Sequence, residues 1–135
     1  MNKTSPSETR IATPQKNSFT PLVALINEAL LEKKAEKLRV LDVRKLTTLT
    51  DYFIVCQGGS DTHIKALANN VTEKIKEKTG EHVWRKEGLE SRKWVVLDYV
   101  DVVVHIFNEE TRNFYALEKM WNDAEITHIE DLPPQ

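Results

Sequence analysis

Apolar and polar residues alternate along this chain with a period that changes from segment to segment. From Pro21, Val23, Ile26 and Leu30, flanked by Leu22 and Ala29, recur at helical spacing. Thr20-Pro21 supplies a capping residue and a proline for the first turn. The mixed run Glu32 to Lys37 closes that helix as a solvated face. Leu38 to Val43 reads as a strand, and Thr47 to Asp51 as a polar connection. Tyr52 to Cys56 is unbroken apolar sequence, the mark of a strand buried on both faces. After Gln57-Gly58-Gly59-Ser60-Asp61 a second helix presents Ile64, Leu67, Ala68, Val71 and Ile75, then stops at Gly80. His82 to Lys86 is a short strand, Glu87 to Ser91 a loop, and Trp94–Asp98 and Asp101–Phe107 two strands joined by a tight turn. Phe114, Leu117 and Trp121 mark a final helix with Glu109 and Glu110 in its first turn, as the helix dipole prefers. This order predicts an α/β fold: a mixed β-sheet with helices mainly on one face.

The hairpin carries the most information. A two-residue loop at Tyr99-Val100 would set Asp98 opposite Asp101, Val96 opposite Val103 and Trp94 opposite His105. The reverse side then holds Val95, Leu97, Val102, Val104 and Ile106, all apolar, and is where helices should pack. The first side mixes an indole, two carboxylates and an imidazole with valines. Such a face is either partly wet or covered by something outside the chain. Aromatics beside carboxylates suit an Arg/Lys-rich partner. Arg112 either pairs with those carboxylates internally or reaches the partner.

The chain has 135 residues, enough for one domain with one core. The expected division is a disordered tail over 1–20, a domain over 21–121 and an acidic tail over 122–135, ordered only if it docks. Net charge is −2, yet residues 1–97 carry +5 and residues 98–135 carry −7. A nucleic-acid binder places basic residues on the element it uses, whereas the most distinctive segment here is acidic. The asymmetry favours a basic protein as partner. No apolar run is long enough to span a bilayer, and the first twenty residues lack the apolar segment of a signal peptide. A short transit peptide is the lesser alternative, with Glu8 against it. The single cysteine, Cys56, excludes an internal disulfide and a cysteine-based zinc site, and fits a small buried residue in a reducing compartment. The expected location is the cytoplasm.

The most enzyme-like feature is the strand–Gly58-Gly59-Ser60–helix junction, since amides at a helix start cradle phosphate. A nucleotidyltransferase would add an Asp-x-Asp pair on a strand to hold magnesium, and the chain contains none. The glycine pair is equally an ordinary strand-to-helix turn. His63, His82, His105 and His128 lack metal-ligand spacing. His63, in the first turn of a helix, suits a surface or capping role, and His105 a semi-buried place in the sheet. No catalytic residue, cofactor or metal is expected.

The segments DYFIVCQGGSDTHIKALANNV and EGLESRKWVVLDYVDVVVHIFNEETRNFYALEKMW resemble the ribosomal silencing factor family, also called Iojap, over about Leu22 to Trp121. The resemblance implies a nucleotidyltransferase-like α/β domain without catalysis. It implies binding to the large ribosomal subunit through the basic ribosomal protein L-fourteen, which blocks joining of the small subunit. Organellar relatives act in large-subunit assembly, and homodimers occur. Trp94, Asp98, Tyr99 and Asp101 match the family's hairpin, and Arg112 and Tyr115 its final-helix pattern. With His105 from the mixed face they form the expected partner-binding set. Two departures stand out: Val100 where the family has glycine in the turn, and Gly59 and Thr62 near positions that often carry Asn and Arg. Valine resists a positive φ, so a longer or differently shaped turn is an alternative to the two-residue loop.

Overall fold

The computed structural model describes residues 19–129. Its elements, in chain order, are α1 (Pro21–Glu32), β1 (Glu36–Asp42), β2 (Tyr52–Gln57), α2 (Asp61–Thr79), β3 (Arg85–Glu87), β4 (Trp94–Asp98), β5 (Val102–Phe107), α3 (Glu109–Tyr115), α4 (Leu117–Met120) and β6 (Glu125–His128). The six strands form one mixed sheet in the order β3-β4-β5-β2-β1-β6. Only β2 and β5 run parallel; the other neighbours are antiparallel.

The expected helix signals act as read. The Thr20 hydroxyl accepts from Val23 N at 3.3 Å, and Pro21 occupies the first turn of α1. Ser60 Oγ accepts from His63 N at 3.1 Å and starts α2, which ends at the left-handed Gly80. The stripes of both helices are buried: Val23, Ile26, Ala29 and Leu30 on α1, and Ile64, Leu67, Ala68, Val71 and Ile75 on α2. They pack with Val95, Leu97, Val102, Val104 and Ile106 in the main core, as alternation along the hairpin requires. At roughly 1.5–3 kcal/mol for each such side chain, this burial is the chief force holding the helices to the sheet.

Two expectations give way. The acidic segment after Trp121, a tail outside the domain that orders only if it docks, does dock on the chain's own sheet: Glu125–His128 pairs antiparallel with β1 as an edge strand, and Ile129 N donates to Leu38 O at 2.9 Å. Polar residues alternate poorly with apolar ones there, so the strand leaves little period to read. Residues 1–18 and 130–135 of the expected tails lie outside the described residues. The hairpin register also differs. Trp94 faces Phe107, Val96 faces His105 and Asp98 faces Val103. The loop is longer than two residues. Tyr99 N donates to Val102 O at 2.8 Å, and Asp98 Oδ1 accepts from Val100 N at 2.8 Å. A slip of two residues keeps every side chain on its face, so the division into apolar and mixed sides survives.

The turn puts Val100 at φ 75°. A β-branched residue is strained in the left-handed region, by about 1–2 kcal/mol. Val100→Gly is therefore expected to stabilise the chain by about 1 kcal/mol after the entropic cost of glycine, raising Tm by roughly 2–8 °C. Thermal unfolding followed by circular dichroism checks this.

Candidate functional site

The second face of the sheet is built from Leu41 on β1, Phe53 and Val55 on β2, Trp94 on β4, Phe107 on β5 and Ile126 on β6. Leu117 of α4, with Trp121 and Ala124 just after it, covers part of that face. The spacing of Phe114, Leu117 and Trp121 predicts one continuous final helix. It breaks at Ala116, whose left-handed conformation (φ 49°, ψ 53°) caps α3 and starts α4. The break turns Leu117 into the sheet while Phe114 and Tyr115 stay outside.

Trp94 is half-buried at the centre of an aromatic group. Its ring lies 4.7 Å from that of Tyr115 and 5.0 Å, stacked, from that of Phe107. Its indole N–H donates to His105 Nδ1 at 3.0 Å, which leaves the neutral imidazole's proton on Nε2. His105 is itself only 7% exposed and its Nε2 has no partner. Phe53 meets it edge-on at 5.2 Å. Burial pushes the imidazole down to a pKa of about 4. His105 thus supports the indole from behind and is not a surface residue. The expectation of a mixed face that is either partly wet or covered from outside the chain is corrected in part, because Tyr115 of α3 overlaps one side of Trp94.

The other expected residues separate into two groups. Asp98 sits four residues along β4 from Trp94, about 13 Å away. Its carboxylate holds the turn, and Asp101 stands exposed in that turn instead of facing Asp98 across the strands. Tyr99 points the opposite way. It is buried in the main core, where burial pushes its phenol up to about 12. It therefore cannot meet a partner on the mixed face. Arg112 is also buried. Its guanidinium donates to Glu118 at 2.7 and 3.3 Å and to Gln57 Oε1 at 3.2 Å, so its carboxylate partner is Glu118 and neither hairpin aspartate.

The remaining surface is a strip. Tyr115 and Trp94 lie at one end and Asp98 and Asp101 at the other, with the half-buried Val96 and Val103 between them. Phe114, 78% exposed and edge-on to Tyr115 at 5.0 Å, extends the aromatic end. Met120 is 71% exposed on α4. The carboxylates of Glu109 and Glu110 are exposed at the start of α3. Sequence reasoning missed Phe114 and Met120 as surface residues. The spacing Phe114-Leu117-Trp121 imitates one buried stripe, and only the left-handed Ala116 sets Phe114 apart from the other two.

The glycine turn is occupied by the chain's own bonds. Gly58 N donates to Phe107 O at 3.0 Å and Gly59 N to His63 Nδ1 at 2.9 Å. His63 Nε2 in turn contacts Lys33 O at 2.7 Å, so this histidine ties the turn to the end of α1. A Cβ on Gly58 would meet Ile64 Cγ1 at 2.9 Å, which accounts for glycine there by packing. Among the described residues no group of three or more His, Cys, Asp and Glu converges to hold a metal, and no helix is long and apolar enough to cross a membrane.

The profile of the family described as ribosomal silencing factor during starvation matches residues 16–135. The chain belongs to this family. The ribosomal silencing factor of Halalkalibacterium halodurans is 36% identical over 111 residues, covering 82% of this chain and 94% of that one. A crystal structure of a Chromobacterium violaceum protein superposes with a TM-score of 0.72 at 40% identity, covering 75% of this chain and 83% of the other. A more distant Mus musculus relative, 28% identical over 102 residues, is named mitochondrial assembly of ribosomal large subunit protein 1; the match covers 73% of this chain and 44% of that protein. Within this family member the exposed rings of Phe114 and Tyr115 stand beside the half-buried Trp94.

Proposed function

We propose that this ribosomal silencing factor is a cytoplasmic translational repressor that binds the large ribosomal subunit through the basic ribosomal protein L-fourteen and sterically blocks the small subunit. The observation that carries the reading is the uncovered strip: Trp94, Tyr115 and Phe114 at one end, Asp98 and Asp101 at the other. Rigid aromatics supply contact area at little entropic cost, and their faces attract guanidinium and ammonium groups. The nearby carboxylates favour approach of a positively charged partner and disfavour nucleic acid. No bond need be made or broken. An interface of about 800 Å² per partner is sufficient for a stable steric block.

The second reading, a large-subunit assembly factor, draws on the mouse relative's name and shares the same docking partner. A nucleotidyltransferase activity at Gly58–Ser60 is disfavoured because the amides of Gly58 and Gly59 already serve Phe107 O and His63 Nδ1. Two experiments separate docking on the large subunit, common to the first two readings, from nucleotidyl transfer. Centrifugation through sucrose with purified subunits is expected to carry the chain down with large subunits and not with small ones. Calorimetric titration with ATP and magnesium is expected to give only heats of dilution; a micromolar isotherm would return the enzyme reading.

A further inference from the structure

A buried charge is costly unless it is paired and hydrogen-bonded, so its partners show what it holds in place. Arg112 is the one buried arginine among the described residues, at 6% exposure. It leaves α3 and crosses the break at Ala116 to reach Glu118 on α4, with Nη2–Oε2 at 2.7 Å and Nε–Oε1 at 3.3 Å. Nη1 reaches the buried Gln57 at the end of β2, at 3.2 Å. One planar guanidinium therefore ties two helices and a strand together with geometry that a point charge cannot copy.

The joint it spans is locally weak. Ala116 occupies a left-handed conformation without being glycine, α3 has seven residues and α4 has four. Helices this short have little stability of their own. Tyr115, the last residue of α3, is the side chain laid against Trp94, and Phe114 stands beside it.

We propose that Arg112 is a positioning residue: by clamping Glu118 and Gln57 across the α3–α4 elbow, it sets Tyr115 and Phe114 beside Trp94 and so preassembles the docking surface. This rests on the reading of that surface as the site of large-subunit binding. It gives Arg112 a role behind the interface, without contact to the partner.

The test uses the full chain with Arg112→Met, Arg112→Lys and Glu118→Gln, and two readouts. The first is the nuclear Overhauser effect between the Tyr115 and Trp94 rings, together with the Trp94 indole N–H shift. The second is affinity for purified large subunits. Arg112→Met is expected to retain the sheet and main core by circular dichroism, lose the Tyr115–Trp94 effect, and bind subunits roughly tenfold or more weakly. Arg112→Lys, which keeps the charge but not the fork, is expected to recover only part of both. Glu118→Gln, which keeps the shape, is expected to lose less than Arg112→Met. Should Arg112→Met fail to fold, the other two variants decide by the same readouts. Intact ring contacts with wild-type binding overturn the proposal. So do intact ring contacts with lost binding, which would make Arg112 a direct contact. If the unmodified chain does not bind large subunits, the docking reading fails, while the ring-contact measurement still decides the elbow.

Discussion

Trp94→Ala is expected to weaken binding to the large ribosomal subunit roughly thirtyfold or more, the loss of about 2 kcal/mol typical of an aromatic anchor. The indole is well suited to that role because its orientation is fixed before any partner arrives. His105 accepts its N–H, Phe107 stacks below it and Tyr115 flanks it. Little rotamer entropy remains to be lost on binding. The substitution also removes packing within the fold, so a stability control is needed. Tyr115→Ala provides it, since Tyr115 is 48% exposed and its loss disturbs the core far less. A weaker defect from Tyr115→Ala, with an unchanged melting curve, would place the effect at the surface. Charge at the other end is expected to act differently. Asp101→Asn should reduce the association rate and the salt sensitivity of binding more than the dissociation rate. Unchanged subunit affinity in folded Trp94→Ala protein would remove the indole from the site.

Acidification is expected to destabilise the chain through His105. Its folded-state pKa of about 4 lies below the ordinary 6.5 because burial disfavours the imidazolium. The unfolded chain therefore takes up this proton first as pH falls. The stabilisation from keeping His105 neutral is fully present above about pH 6.5 and is lost as pH falls from there towards 4, by about 3 kcal/mol in total. Below pH 4 both states carry the proton and this contribution falls no further. Carboxylates titrate in the same region, so the informative quantity is a difference. Urea midpoints of the natural chain and of His105→Gln, measured from pH 7 to pH 4, should diverge from parallel, with the natural chain falling more steeply. Parallel curves would mean that the imidazole titrates with water access. The same protonation costs the bond to Trp94, because Nδ1 then carries a hydrogen and cannot accept the indole N–H.

How far these features were legible depends on what fixes each one. The helices α1 and α2 and the strands β2 and β4 follow from period and capping, and their bounds lie within a residue or so of the expectation. Face assignment in the hairpin was readable because alternation survives a two-residue slip. The register itself was not, since Val100 takes a left-handed turn that its sequence disfavours and Asp98 stabilises. β6 escaped because an edge strand gains its place by pairing with β1, with little periodicity of its own. The site was half legible. Trp94 and Tyr115 lie side by side, and Asp98 and Asp101 stand farther along the same hairpin. Tyr99 sits in the opposite core, while His105 and Arg112 are buried supports. Sequence marks an aromatic or a charge but not which way a turn or a helix break points it. That is also why Phe114, an apparent core residue, stands in solvent.

In the proposed role the strip sits on the large subunit where the small subunit would join. The direct measurement is joining itself, followed by light scattering or on sucrose gradients, after purified large subunits are incubated with the chain and small subunits are added. Fewer joined particles are expected in proportion to bound chain, with normal joining for Trp94→Ala. Joined particles that still carry the chain would contradict that role.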